Sequence, residues 1–481
     1  MNFQIEAKDY GAYDVVVCGG GTAGAFAAIA AGRQGAKTLL VERSFTVGGM
    51  LTMGNAGITK FSEHCTDVNK YKNEVLDLLG TENSKKVQVV GGLALEYVER
   101  MVREGTALGT NGTAGSYIFT DKCEAQWTLM DMLEDAGVEV LYDTRVCMAV
   151  MDGDTLKGIV VHNKEGFCRI EAGVIIDCTG DADVAAVSGA PFHKGASELD
   201  VQECPKLHLG QMMHAGCMYR VRDVDFDKLF DYLEKNPEKY GVHPFGVMDI
   251  QNAKESHLRG EMCVFHIKID DPEGKSPFRN VQVYNLPTSG EAILLGPLCG
   301  VFGFDGLDAR SISKGQRLLQ EGARKLTAIL KADVPGFENV KVTYVPDAGT
   351  RESRHIIGEY TLQTMDVAKG VDFEDSVACG GHPIDISPRP KELDDVPENH
   401  WRFHIPYRTS VPLKVENLLV AGRSISATRL ANGAARPTAQ CMALGEAAGI
   451  AAAMCVKEGV TPRNIDVQKL RAVLVENGAV I

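Results

Sequence analysis

A short apolar strand that runs straight into three spaced glycines and then into an alanine-rich helix leaves this chain few folds to choose from. Tyr13–Cys18 (YDVVVC) is rich in β-branched residues and reads as a buried parallel strand. Gly19, Gly21 and Gly24 follow as GxGxxG, Ala25–Gly32 continues as a helix, and Ala36–Glu42 (AKTLLVE) is a second strand ending in an acid. Each spacing has a physical reason. Gly19 permits the tight turn, Gly21 lets backbone approach a pyrophosphate, and Gly24 lets helix and strand pack closely. The helix N-terminus then turns unpaired N–H groups and its positive dipole end toward the phosphates. Glu42 is placed to accept from ribose hydroxyls, and an acid rather than an arginine there disfavours a 2′-phosphate. The pattern predicts a dinucleotide site, and by itself it does not separate FAD from NAD.

The rest of the chain bears on that choice. Arg43–Met50 (RSFTVGGM) follows the acid at once, and Gly48 and Gly49 could bring backbone close to a flavin. Val174–Asp183 (VIIDCTGDAD) is another apolar strand, running into Thr179, Gly180 and Asp181. Asn417–Gly422 (NLLVAG) is a third, leading through Arg423 to Gly433–Pro437 (GAARP) and a long helix. Pro437 suits a first helical turn, where its missing N–H costs nothing. A second helix N-terminus aimed inward is what a reduced flavin, negative at N1 and O2, would favour.

These segments carry a resemblance. GGGTAGAFAAIAAGRQGAKTLLVE, DCTGDADVA, GTRESRHIIGEY and NLLVAGRSISATRLANGAARPTAQCMALGEAAG resemble the signatures of the FAD-dependent oxidoreductase family, within the glutathione-reductase-like flavoprotein superfamily. The resemblance runs from about Asp14 to the Asp466–Ile481 segment. It implies an α/β fold with a Rossmann-type FAD-binding domain and FAD as cofactor. It further implies that Gly19, Gly21, Thr22, Ala23 and Gly24 hold the pyrophosphate, Glu42 the adenosine ribose, and that Arg43 lies over the adenine. Gly48, Gly49 and Met50 would pass near the ribityl chain, and Val146 would meet adenine through its backbone. Thr179, Gly180 and Asp181 would line the cofactor's middle. Gly422 and Arg423 would close the second phosphate-side turn, with Ala435 and Arg436 near the pyrimidine. Two features depart from disulfide-reductase relatives: no second GxGxxG–helix unit lies between Val150 and Val345, and no redox-active cysteine pair is visible.

The expected organisation is discontinuous, with residues 1–190 and 344–481 as the FAD-binding domain. Residues 191–343 would form an inserted α+β substrate or cap domain. Within the first part, Asp121–Asp135 reads as a helix opened by an Asp-x-x-Glu box, with Cys123, Trp127 and Met130 on one face. In the insertion, Ser313–Ala332 reads as a helix and Asp271–Asn280 as turn-rich, while Val460–Ile481 would end the chain with a surface-packed helix.

The strongest chemical cluster is Thr350–His355 (TRESRH), which gathers two cations, a carboxylate and a titratable ring. Arginine pairs bidentately with carboxylates, and histidine moves protons near neutral pH. Arg351 and His355 are the preferred catalytic pair, against the alternative of an ion-pair network bracing a domain junction. Arg436 could stabilise charge on the reduced flavin. His382, and His400, His404, Tyr407 and Arg408 in the following segment, could approach substrate. The spacing of His400 and His404 lacks the further ligands a zinc site needs, so no metal is expected.

Composition narrows partners. A formal charge of −14 over 481 residues argues against nucleic acid and anionic membrane. Thirteen cysteines without CxxC spacing, most inside apolar runs, read as reduced core thiols of a cytoplasmic protein. The N-terminus lacks the apolar core of a secretion signal, and Gly445–Val456 reads as a buried helix. The leading expectation is a soluble oxidoreductase that moves hydride between a small polar substrate and flavin N5. A flavoenzyme without net redox change (isomerase or lyase) and a flavin electron-transfer subunit are the alternatives, with an electron-carrier partner or a homo-oligomer possible.

Overall fold

The strand–glycine–helix unit folds as its spacing predicts. The structure is a computed structural model that describes residues 6–59, 62–64, 86–109, 117–241, 249–269, 280–384, 386 and 402–481. It begins with β1 (Lys8–Cys18), α1 (Thr22–Arg33) and β2 (Thr38–Val41). Helices α2 (Leu93–Arg103) and α3 (Lys122–Asp135) follow, then β3 (Glu139–Leu141), β4 (Arg145–Asp152), β5 (Thr155–Asn163) and β6 (Gly166–Asp177). Next come β7 (Phe192–Lys194), β8 (Ala215–Gly216), β9 (Tyr219–Arg222), β10 (Tyr240–Gly241), β11 (Cys263–Ile267), β12 (Val281–Leu286), β13 (Glu291–Leu295) and β14 (Gly300–Val301). The long helix α4 (Ala309–Asp333), β15 (Lys341–Tyr344) and β16 (Arg354–Ile356) lead to β17 (Leu418–Val420), α5 (Arg429–Ala435), α6 (Thr438–Glu458) and α7 (Val467–Glu476).

One sheet has the order β3-β2-β1-β6-β5-β4, and β17 pairs with β6. The β1, β2, β3, β6 and β17 pairings are parallel, whereas β5 and β4 are antiparallel additions. β6 hands over along its length: residues 166–171 pair with β5, and 175–177 with β17. That handover brings the C-terminal third of the chain back beside the glycine turn. Alternation puts Val15, Val17, Val174, Ile176 and Leu419 into the core on one face, and Val16, Cys18, Ile175, Leu418 and Val420 into that on the other. Burial on both faces explains why these strands read as unbroken apolar runs.

The first face is covered by α1 and α6, which cross almost backbone to backbone. A Cβ on Gly445 would stand 2.1 Å from the Ala23 carbonyl oxygen, and one on Gly449 2.2 Å from that of Ala27. Only glycine at these two positions, one turn apart, allows the approach. By length and composition α6 could cross a membrane, yet 83% of its most apolar window is buried inside the protein.

The second sheet, β10-β11-β12-β13-β9-β15, is antiparallel, and α4 covers its own separate core through Leu319, Ala323, Leu326 and Leu330. The helix begins at Ala309, four residues before the sequence suggests, because Asp308 caps it through the Ser311 N–H. Two short ribbons lie outside both sheets: β7 pairs with β16, and β8 with β14. The three residues expected to share a face of α3 do so, and that face is the solvent side. Ala125, Leu129, Met132 and Leu133 are buried, whereas Trp127 is 55% exposed and Cys123 and Met130 share the solvent side. Asp121 does cap this helix, accepting from the N–H groups of Cys123 and Glu124.

Candidate functional site

At the end of β1 the chain turns with Gly19 at φ +96°, pressed against β6: a Cβ there would stand 2.6 Å from the Cys178 carbonyl oxygen. A Cβ on Gly24 would overlap the Gly19 carbonyl at 1.7 Å, so the first turn of α1 lies directly on the glycine turn. Gly21 differs. Nothing lies within 4 Å of where its Cβ would be, so open space fronts the helix N-terminus at the position assigned to pyrophosphate. Thr22 Oγ1 donates to the Gly48 carbonyl at 3.2 Å, Gly48 N–H donates to that of Gly20 at 2.8 Å, and Gly49 borders Gly21. The second glycine loop is thereby laid over the first.

Glu42 stands at the end of β2. Its carboxylate accepts from Gly20 N–H at 2.5 Å and from Ser44 N–H and Oγ, each at 2.7 Å. Thr144, whose N–H donates to the Glu42 carbonyl, brings the start of β4 alongside, with Val146 two residues on. The residues assigned to the adenosine end are thus neighbours.

Gly445 passes Ala23 in the second turn of α6, so about 10 Å of that helix projects beyond the start of α1. Its first residue, Thr438, donates from Oγ1 to the Gly57 carbonyl at 2.9 Å, which carries the α6 N-terminus to the end of the glycine loop. Pro437 is the cap residue rather than a member of the first turn, and Gly433–Ala435 close the buried helix α5. Ala435 has its side chain in the core, and Arg436 is half-buried where α5 gives way to α6.

Thr179, Gly180 and Asp181 follow β6 close to Gly19, and the side chains of Thr179 and Asp181 are engaged with protein. Thr179 Oγ1 donates to Asp177 at 2.7 Å. The Asp177 carboxyl is pushed up to about 6 by burial, although the Ala185 N–H and Thr179 pull it back. Asp181 is held by Arg423 Nη2 and by Ser353 Oγ, both at 2.6 Å, and Arg423 Nη1 donates to Ser353 at 2.8 Å. Burial works against the Asp181 charge, but Arg423 and Ser353 outweigh it and leave its carboxyl below the usual range. Arg423 therefore clasps Asp181 across the β6 and β17 ends, with Gly422 packed on Ala23. The positive charge of exposed Arg43 adds a smaller pull on Asp181 in the same direction.

The Thr350–His355 cluster divides. Arg351 is half-buried, while Glu352, Ser353 and His355 are sealed in. Glu352 accepts from Arg429 Nε at 3.1 Å and from Met213 N–H at 2.8 Å. Burial pushes its carboxyl up against the pull of Arg429 and Arg436. His355 corrects the sequence reading. Its ring is fully buried, stacked 5.1 Å from His193, and burial drives it well below its ordinary value. A neutral ring with no surface on the cleft cannot serve as the proton partner of a substrate. For His355 the alternative of a junction network is the better description. Arg354 belongs to it too, paired with Asp183 at 2.8 Å.

Other expected substrate-side residues also serve packing. Arg408 forks onto Asp375 at 2.9 and 3.1 Å, buried Tyr407 donates to the Pro462 carbonyl, and His404 lies against Cys379 and Asp372. His382 Nδ1 meets the neighbouring Pro383 carbonyl. His400 lies outside the described residues.

Sequence reasoning missed one bracket at the junction. Buried Arg220 on β9 donates to Asn55 Oδ1 at 2.9 Å and the Thr120 carbonyl at 3.1 Å, and pairs with Glu291 at 2.9 Å. Asn55, at φ +57°, donates onward to the Met218 carbonyl at 2.8 Å. The glycine loop is thereby fastened to the second sheet. An asparagine in a left-handed turn was the available signal, but its partner lies 165 residues away.

The sequence matches the profile of the FAD dependent oxidoreductase family over residues 14–474. The chain is 26% identical over 201 residues to an NADH:fumarate oxidoreductase of Klebsiella pneumoniae (strain 342), a match covering 35% of this chain and 20% of that protein. It thus spans about a fifth of that relative's length. Similar solved structures include a p-nitrophenol 4-monooxygenase from Pseudomonas putida (TM-score 0.45, 13% identity, 96% of this chain and 84% of that one). Another is a flavoprotein/dehydrogenase from Cytophaga hutchinsonii (TM-score 0.42, 12% identity, 97% and 86%). FAD fits the residues present: open space before Gly21, an acid at the β2 end, and a second helix N-terminus beyond the first. The chain belongs to the FAD dependent oxidoreductase family and is an FAD-dependent enzyme.

Proposed function

We propose that this enzyme moves hydride between flavin N5 and a small polar organic substrate, with a carboxylate the best-fitting class. The observation that carries the reading is the placing of two half-buried arginines, Arg351 and Arg436, at the Met50 and α6 end of the site. Arginine holds carboxylates through paired hydrogen bonds and stays charged at any working pH. The likeness to a protein named for fumarate, a small dicarboxylate, supports the same class. When bound, FAD supplies the hydride chemistry. The protein's part is to hold the substrate, exclude water and stabilise negative charge with Arg436 and the α6 N-terminus.

The residues assigned to the cofactor, from Gly19 to Ala435, are part of this proposal, as is the division into a cofactor domain and a cap built on the second sheet. So is the electron partner: the substrate itself, a docking carrier, or a nicotinamide bound without its own Rossmann unit. The described cysteines are all free, which suits a soluble protein in a reducing cytoplasm.

The test begins with the purified yellow protein and the cofactor released from it by acid, followed by anaerobic bleaching with hydroxy acids, amines and sugars. Stoichiometric bleaching by one class supports the proposal. Turnover without any acceptor would favour an isomerase or lyase instead. A flavin that dithionite reduces but no small molecule bleaches would favour an electron-transfer subunit.

A further inference from the structure

Two segments far apart in sequence run side by side at the Met50 end of the site. Gly216 and Gly349 form an isolated antiparallel bridge, closed by N–H to carbonyl bonds of 3.3 and 2.8 Å. In an antiparallel register, each step back from Gly216 is matched by a step forward from Gly349. Carried two and three residues further, that register would set His214 beside Arg351 and Met213 beside Glu352. The Met213 N–H donates to the Glu352 carboxylate at 2.8 Å, so the segments still run together there.

Side chains alternate along each segment. Met213 and Glu352 point inward: both are buried, and Met213 packs with Ile386 and Leu430. His214 and Arg351 accordingly share the opposite side with Gly216 and Gly349, and both are half-buried. On that side a Cβ on Gly349 would lie 3.7 Å from Met50 Cε, so the glycine loop borders the same face. The His214 ring packs 5.6 Å from that of Phe302, which is 62% exposed.

We propose that His214 and Arg351 form the substrate side of the reaction site, Arg351 anchoring a carboxylate and His214 carrying the proton that accompanies hydride transfer. The proposal rests on the hydride-transfer reading above and names its substrate class and proton carrier. In the dehydrogenation direction, the C–H bond beside the carboxylate would break with its hydride going to the bound FAD, which would supply the two-electron acceptor. The neighbouring O–H or C–H bond would break with its proton passing to neutral His214, and its electron pair would form the new double bond. The substrate would lose the two electrons that FAD takes up, and His214 would end as imidazolium. Among the described residues, the charged groups that the register brings toward His214 include Arg351, with Glu352 and Arg429 behind Met213, while the Phe302 ring beside it is uncharged.

The test uses holoenzyme with lactate, malate and succinate as probes, each titrated into oxidised protein while the flavin absorption bands are followed. Wild-type protein should show saturable perturbation by at least one of them. Arg351→Met should raise that dissociation constant roughly 10- to 100-fold, with Arg351→Lys between. His214→Asn should hold the dissociation constant within about 3-fold. It should slow anaerobic bleaching by roughly 100-fold or more, with loss of one limb of its pH profile. His214→Gln is the second variant should the first lose its flavin or melt early. No saturable binding by the wild type, or equal binding by Arg351→Met, overturns the anchor. Binding without bleaching by any probe, or a wild-type rate and pH profile in the His214 variants, overturns the proton carrier. A protein that releases no FAD in acid fails the underlying reading instead.

Discussion

Around Gly21 the proposed cofactor cradle is made of backbone: glycines pressed on carbonyls, two helix N-termini, and one carboxylate on a loop amide. Facing it, the wall beside the second sheet is made of side chains, with Arg220, Asn55, Glu352 and Arg429 each reaching across to another segment. A backbone cradle tolerates few shapes and suits a cofactor whose pyrophosphate is always the same. A side-chain wall can change with a few substitutions, and substrate choice is expected to reside there.

If the cradle depends on backbone approach, Gly24→Val should cost more than about 4 kcal/mol and leave any folded protein without flavin. Measuring the FAD to protein ratio and the melting temperature checks it, and a yellow, stable variant would break the comparison. Glu446 tests whether buried charge also stabilises the cradle side. Burial pushes its carboxyl up to about 8, although it accepts from the Leu93 N–H at 3.0 Å. A folded value above the unfolded one means stability is greatest below about pH 4.5 and falls as pH rises through about 8. The loss should be on the order of 4 kcal/mol, and Glu446→Gln should flatten a plot of melting temperature against pH.

On the wall, Arg220→Ala strands Glu291 and Asn55 and should cost about 3 kcal/mol in denaturant unfolding, with flavin content retained. Loss of flavin in proportion to loss of stability would merge the two regions into one. Glu42→Gln should weaken FAD binding by about 1.5 kcal/mol, read by fluorescence titration of apoprotein. Arg408→Ala, removing a partly exposed fork, should change stability by under about 1 kcal/mol and leave the flavin spectrum unaltered.

The comparison also explains what was legible in the sequence. Gly19, Gly21, Gly24 and Glu42 fall within 24 residues, so spacing alone carries their geometry, and β6 and β17 announce themselves because both their faces are buried. The wall depends on register between distant segments. Nothing near His214 in the sequence marks it as the neighbour of Arg351, and TRESRH does not reveal which of its side chains alternation turns inward. His355 looked attractive because its chemistry is versatile, but its burial is a tertiary fact. Trp127 and Met130 show the converse: α3 carries apolar residues on two faces, and the sequence does not tell which one meets α1.

The glycine crossing of α6 on α1 has a mechanical consequence. With Gly445 on the Ala23 carbonyl and Gly449 on that of Ala27, neither helix can slide or roll without a collision of backbone atoms. The pair is a rigid keel, and amide hydrogens along it should be among the slowest to exchange. Motion near the glycine loop is then expected on the other side, where single side chains such as Arg220 and Asn55 do the fastening, rather than along the helix pair.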